Sequence, residues 1–389
     1  MLCYLIIEEE NQMKKLIALA LALALALAVC SAFAEEPVTL KIAHIGPLTG
    51  PAALYGIATN RGAEIAAKEI NEAGGNYKIE LISEDDEHNP EKVINAYNAA
   101  LDAGAQMIVG TTTSKPCEAA GAQGFVDRVF FLTPSASSTA VIEDKDNVFQ
   151  VCFTDPNQGS ASAQYIADHK LGTKVAVIYN NADVYSTGIR DTFVAKAAEL
   201  GLEIVSETTF SSDDNADFSV QVADAQNNGA EILFLPMYYT PASLILKTAA
   251  DKNYKPIFFG VDGMDGILSV EGFDTSLAEG VMLLTPFVAT SKDEKVVNFV
   301  QKYQEAYNEI PIQFAADAYD AMYILVAAAE KAGITSDMPA EECCDKMIAA
   351  ILELSYDGIT GAMTWDESGA VTKTPMAATI VNGEYVFED

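Results

Sequence analysis

Positive charge is scarce in this chain. Only 23 lysines and arginines stand against 56 acidic residues in 389, a formal net charge of −33. A surface of that sign repels phosphate backbones and anionic lipid, which excludes nucleic acid and a lipid surface as partners. It also keeps a protein soluble, so it does not by itself imply a cationic ligand. Histidine is nearly absent: His44, His88 and His169 lie far apart, and no C-x-x-C pair exists, so a zinc site has no ligand set. Beyond the N-terminal segment the cysteines are Cys117, Cys152, Cys343 and Cys344, a spacing that matches no disulfide framework. Cys117 and Cys152 could pair in space, whereas the adjacent Cys343 and Cys344 read as free thiols. The chain has no G-x-G-x-x-G fingerprint, no G-K-[ST] phosphate loop and no G-x-S-x-G elbow. No cofactor is expected, and nothing supplies a nucleophile–base pair or a metal cluster, so the chain does not read as an enzyme.

Long apolar runs are also missing, with one exception. Leu16 to Val29 is apolar and follows the basic start Met13-Lys14-Lys15. Fourteen residues fall short of the roughly 20 that a spanning helix needs. They match the apolar core of an export signal, and Ala32-Phe33-Ala34 supplies the cleavage pattern. Residues 1–34 are therefore expected to be a signal region, with Met13 as the true start and Glu35 as the first mature residue. A lipid anchor at Cys30 is the second outcome, since Leu27-Ala28-Val29-Cys30 is similar to a lipobox except at Val29.

What remains alternates strand with helix. Val38 to Ile45 predicts a strand, Tyr55 to Asn71 a helix stopped by Gly74-Gly75, Tyr77 to Ile82 a second strand, and Asn89-Pro90 the start of a second helix. Short buried strands follow at Met107 to Val109 and Val129 to Leu132, with a helix from Pro116 between them. The rhythm restarts at Asp155-Pro156, with strands near Lys174 to Tyr179, Leu202 to Glu207, Ile232 to Leu235 and Pro256 to Phe259. Three helices are expected at about 293–308, 315–332 and 339–354, then a hairpin turning on Asn382-Gly383. This is an α/β chain of two similar units with mainly parallel sheets and no flexible linker. Ligands of such sheets sit beyond the carboxyl ends of the strands.

Those strand ends carry a pattern. Thr111-Thr112-Thr113-Ser114 and Pro134-Ser135-Ala136-Ser137-Ser138-Thr139 follow strands of the first unit. Hydroxyls and free backbone N–H groups at such points hold a carboxylate without a basic residue, although turn and cap chemistry alone also favours Ser and Thr there. In the second unit Tyr185, Tyr238-Tyr239-Thr240-Pro241 and Gly260-Val261-Asp262-Gly263 follow strands. A carboxylate there suits an ammonium, and aromatics enclose an apolar side chain. That polarity suits an α-amino acid.

In order along the chain, Ile45-Gly46-Pro47-Leu48-Thr49-Gly50 with Tyr55-Gly56, the two Ser/Thr segments, Tyr185 with Gly188, Tyr239-Thr240-Pro241, Gly260 to Gly263, Ala318-Tyr319-Asp320-Ala321 and Gly361-Ala362-Met363-Thr364-Trp365-Asp366-Glu367 make the chain resemble a known family. It is similar to the periplasmic leucine/isoleucine/valine-binding proteins of ABC importers, which have the type I periplasmic binding fold. The resemblance implies two doubly wound α/β lobes joined by a three-crossing hinge, the first of residues 36–154 and 287–374, the second of 155–286 and 375–389. It implies a monomer that closes on an amino acid, most simply a branched-chain one, and presents it to membrane permease subunits. An amide, urea or aromatic acid as ligand, or a sensing role beside a receptor, is the alternative. By resemblance, Ser114 and Ser137 would hold the ligand carboxylate, with main-chain groups of Ser135 and Ala136. Asp262 would pair with the ammonium, Tyr185 and Tyr239 would close from the second lobe, and Tyr55 and Phe314 would line the side-chain pocket. Thr113 is an alternative to Ser114, and Asp265 to Asp262. The cysteine pair that some members carry in the first lobe is missing.

Overall fold

A computed structural model describes residues 36–212 and 216–387. The expected signal region, Met13, the cleavage site and Cys30 lie outside the described residues. Among those described, no helix is long and apolar enough to cross a membrane.

Strands β1 (Val38–Gly46), β2 (Tyr77–Asp85), β3 (Met107–Gly110), β4 (Phe130–Thr133) and β5 (Val148–Gln150) form one sheet in the order β2-β1-β3-β4-β5. The β1–β3, β3–β4 and β4–β5 pairs are parallel. Strands β3, β4 and β5 are buried throughout, as a sheet covered on both faces requires. A second sheet runs β14-β13-β10-β9-β8-β6-β7, from β6 (Lys174–Asn180), β7 (Glu203–Phe210), β8 (Ile232–Leu235), β9 (Ile257–Gly260), β10 (Met282–Thr285), β13 (Met376–Val381) and β14 (Glu384–Phe387). Its first five members pair in parallel. The β13–β14 hairpin adds antiparallel on β10, turning through Asn382 (φ 53°) and Gly383 (φ 78°), the two positive-φ positions of a type I′ turn. A short ribbon of β11 (Ser355–Gly358) and β12 (Gly361–Thr364) stands apart from both sheets.

The helices are α1 (Ala53–Ala73), α2 (Lys92–Asp102), α3 (Ser114–Asp127), α4 (Asp155–Asp168), α5 (Val184–Leu200), α6 (Ser219–Asn227), α7 (Tyr239–Asp251), α8 (Glu294–Tyr307), α9 (Gln313–Ala332) and α10 (Ala340–Ile351). Predicted elements reappear with ends shifted by a few residues. The sequence reading did not place β5, β10 or the β11–β12 ribbon. Helix α2 begins two residues later than expected; Asn89 Oδ1 still accepts from the Glu91 and Lys92 N–H groups at its start. The chain leaves the first sheet after Gln150 and leaves the second after Thr285. It then lays α9 and α10 against β4 and re-enters the second sheet at Met376.

α1 and α9 pack closely because Gly62 gives them room: a Cβ there would lie 2.0 Å from the Ala315 carbonyl oxygen. Gly62→Val is expected to lower the unfolding free energy by about 1–3 kcal/mol, the usual range for overpacking. A urea midpoint equal to that of the parent protein would refute the contact.

Cys117, Cys152, Cys343 and Cys344 are all buried and unpaired. The Cys117–Cys152 pairing that the sequence left open is therefore not formed.

Candidate functional site

Each sheet has a point where successive connections run to opposite sides, and a crevice opens there. In the first sheet it lies between β1 and β3, in the second between β6 and β8. The segments after these strands meet face to face. A small cavity between them is lined by Thr112, Thr113, Ser114, Ser135 and Phe314 from one side and Tyr185, Tyr238, Asp262 and Gly263 from the other. Its empty space, the part open to solvent included, is about 210 Å³. A wider depression of about 1280 Å³ lies near Phe125 and Glu143 to Asp146, and none of the predicted site residues borders it.

Asp262 sits in a single turn of 3-10 helix after β9 and is 4% exposed. Its Oδ1 accepts from the Tyr185 hydroxyl at 2.6 Å, and that hydroxyl in turn accepts from Gly263 N–H at 2.9 Å. The Asp262 main chain is fixed by Gln158, which accepts from its N–H, and by Gln313, which donates to its carbonyl. Burial pushes the Asp262 carboxyl up to about 7, against the lowering effect of its hydrogen bonds. Asp265, the alternative, is fully engaged in structure: its two oxygens accept from Gly266 N–H at 2.8 Å and Gln313 N–H at 2.7 Å. Burial raises it to about 7 as well. Asp155, at the start of α4, is also buried and raised, first by burial and then by the charges of Asp262 and Asp183. Among the described residues no Lys, Arg or His forms an ion pair with Asp262.

On the opposite wall, Ser114 Oγ accepts from Ser138 N–H at 3.2 Å, and Ser135 Oγ donates to the Thr112 carbonyl at 2.7 Å. Ala136 stands behind the cavity: its N–H donates to Thr133 Oγ1 at 2.9 Å and its carbonyl accepts from Gln150 at 2.8 Å. Ser137 is fully buried, and its hydroxyl interacts with the Asp155 carboxyl, opposing the rise that burial causes there.

Five of the nine predicted residues thus border the cavity: Ser114, Ser135, Tyr185, Asp262 and Phe314. Tyr55 lies just behind Phe314, ring centroids 4.2 Å apart, and its hydroxyl donates to the Gly263 carbonyl while accepting from Tyr239 N–H at 3.1 Å. Tyr239 points away from the cavity, and its hydroxyl donates to the Pro51 carbonyl at 2.9 Å. Its neighbour Tyr238 takes the cavity wall, stacked on Tyr185 at 4.8 Å and 5°. Tyr238, Thr112 and Gly263 lay within the segments that the sequence singled out, but it gave them no role of their own. A helix begins at Tyr239, and one residue of phase there decides which ring faces in; the Tyr-Tyr pair offered no signal to choose by.

A family profile described as periplasmic binding protein matches residues 39–384. The chain belongs to the periplasmic binding protein family. A relative in Brucella melitensis, named Leu/Ile/Val-binding protein homolog 3, is 27% identical over 364 residues, covering 91% of this chain and 94% of its own. Among solved structures, a leucine-binding protein from Thermotoga maritima superposes with a TM-score of 0.81 at 26% identity, covering 90% of this chain and 98% of that one. A branched-chain amino acid transporter substrate-binding protein from Streptococcus pneumoniae, solved with isoleucine, gives 0.80 at 26%, covering 90% and 100%. The periplasmic binding fold expected from the sequence, two mainly parallel α/β units facing each other, is the fold observed. Among the described residues no group of His, Cys, Asp and Glu could hold a metal.

Proposed function

We propose that this periplasmic binding protein is exported, captures a free α-amino acid, most simply a branched-chain one, and delivers it to the permease of an ABC importer. The observation that carries the reading is Asp262: a buried, cavity-lining carboxyl whose side-chain partner is a neutral hydroxyl. A buried carboxylate without a cation is unfavourable, and a ligand ammonium would supply the missing charge. On the facing wall, hydroxyls of Ser114 and Ser137 would receive the ligand carboxylate; the main-chain N–H groups of Ser135 and Ala136, also expected to do so, are spent on Thr133 inside the wall. Tyr185 and Phe314 would flank the side chain, with Tyr55 and Tyr239 joining the two walls from behind. The lobes would be residues 36–154 with 287–374 and residues 155–286 with 375–389, hinged at the three passages between them. Binding would draw the lobes together as a hinge motion, with no bond made or broken. Leucine, isoleucine and valine are the first candidates because the Brucella relative and the two solved structures are named for them or bind them.

The test is a thermal-shift panel on the chain from Glu35. A ligand that binds only the folded state adds about 2.7 kcal/mol at a hundredfold excess over its dissociation constant. Leucine, isoleucine or valine should raise the melting temperature. A shift with benzoate, urea or simple amides and none with any amino acid would overturn the ammonium assignment and move the ligand to those classes.

A further inference from the structure

His88 lies outside the cavity lining, yet it touches both walls. It sits in the loop between β2 and α2, with Nδ1 2.8 Å from the hydroxyl of Thr113, which caps α3 and lines the cavity. Its ring stands perpendicular to that of Tyr238 on the opposite wall, centroids 5.5 Å apart at 87°. Tyr238 stacks on Tyr185, and Tyr185 holds Asp262. We infer that His88 is a positioning residue of the cleft, tying Thr113 on one wall to Tyr238 on the other and so setting how firmly the walls hold a bound ligand.

The loop is built to aim this ring. Glu87 and His88 both adopt left-handed backbone, φ 52° and 56°, a sparsely populated conformation that persists where the surroundings dictate it. Asp86 dictates it here: buried, it accepts from His88 N–H at 2.8 Å through Oδ1, and its carbonyl accepts from Asn89 N–H. Thr113 hydroxyl both donates and accepts, so the Nδ1 contact survives either tautomer. The two rings stand perpendicular, an arrangement that sets the positive edge of one against the negative face of the other. Neither contact adds a group to the cavity, so the expected effect is on release of ligand rather than on which ligand enters. Opening parts His88 from Tyr238, whereas the Thr113 bond lies within one wall and keeps the ring aimed; off-rates carry the loss of the crossing contact.

The inference rests on the amino-acid-binding reading, and the variants separate the two halves of the contact. His88→Asn keeps a hydrogen-bonding group near Nδ1 and tolerates the left-handed backbone. His88→Phe keeps the ring, and His88→Ala loses both. With L-leucine as probe, stopped-flow fluorescence should show His88→Ala releasing ligand about threefold to tenfold faster, the range expected from losing one aromatic pair across the cleft. His88→Phe should recover most of that and His88→Asn little, with association rates unchanged. Equal off-rates in His88→Ala and the parent protein would overturn the inference. So would full recovery by Asn and Phe alike, because the two contacts would then not be separate. If the parent protein does not bind leucine, the ligand reading fails first, and NMR of the His88 ring decides the inference without ligand. Thr113→Val and Tyr238→Ala should each move the resonances that vanish in His88→Asn. If neither moves them, His88 does not join the two walls.

Discussion

Asp262→Asn is expected to weaken leucine binding by at least about a hundredfold and, in the absence of ligand, to make the protein more stable above neutral pH. The affinity loss follows from truncating one partner of a buried charge pair, which costs about 2–5 kcal/mol. Asparagine preserves shape and can still accept from the Tyr185 hydroxyl, so the change isolates charge. The stability gain has the opposite sign because the same carboxyl is unfavourable when nothing neutralises it. Its folded pKa of about 7 lies above the ordinary carboxylate value. A carboxyl raised in this way contributes stability that is fully present below its unfolded pKa and is lost as pH rises through the folded one. Across that window the loss is on the order of 4 kcal/mol for a shift of about three units. The parent protein should therefore lose stability between about pH 4 and pH 8 more steeply than Asp262→Asn. Asp265 and Asp317 are raised in the same direction, so some slope will remain in the variant. Calorimetric titration with leucine and urea unfolding at three pH values check both halves. Unchanged affinity would remove Asp262 from the ligand site, and parallel stability profiles would show that its carboxyl does not titrate in this window.

Lys373→Met is expected to destabilise the fold by about 3–5 kcal/mol, the cost of leaving a buried charge without its partner. Lys373 lies between β12 and β13, where the chain passes back to the second sheet. Its ammonium donates to Asp317 Oδ1 at 3.0 Å, Thr360 Oγ1 at 2.7 Å and the Val151 carbonyl at 3.1 Å. Val151 belongs to the passage after β5 and Asp317 to α9, so one charge joins two inter-sheet passages and a helix. Both side chains of the ion pair are 2% exposed, and solvent screens the pair little. Asp317 is already raised to about 6 by burial, with Lys373 working against that rise. Removing the lysine lifts it further, so the destabilisation should grow as pH rises from 5 to 8. Adding Asp317→Leu should recover part of the loss, because an apolar replacement of the whole pair avoids the uncompensated charge. Urea unfolding of the single and double variants reads this directly. A single variant as stable as the parent would mean that the pair contributes nothing to the fold.

Much of the architecture was legible in the chain. Strand and helix alternate along it, with hydroxyl clusters after β3 and β4 and Tyr-Tyr and Gly-Val-Asp-Gly after β8 and β9. That order places polar groups at strand ends, where facing α/β units bind ligands. The family resemblance rested on the same segments, and the profile match over residues 39–384 agrees with it.

Which atoms face the cavity was not legible. Ser135 and Ala136 are adjacent to Ser137, but whether a hydroxyl or N–H is spent inside the wall depends on Thr133 at the end of β4 and on Thr112 and Gln150, which belong to the segment after β3 and to β5. Tyr238 and Tyr239 differ by one residue at a helix start, where a step of about 100° separates neighbouring side chains. Asp262 and Asp265 share one short turn, and only the helix beginning at Gln313 shows that Asp265 is taken up by main-chain N–H groups. The chain by itself determined the class of fold, the segments that meet and the polarity of each wall, because periodicity and composition act locally. Tertiary structure alone decided which side chains reach the cavity and which are satisfied elsewhere, because the deciding bonds, Ser135 to Thr112 and Gln313 to Asp265, join residues far apart in sequence.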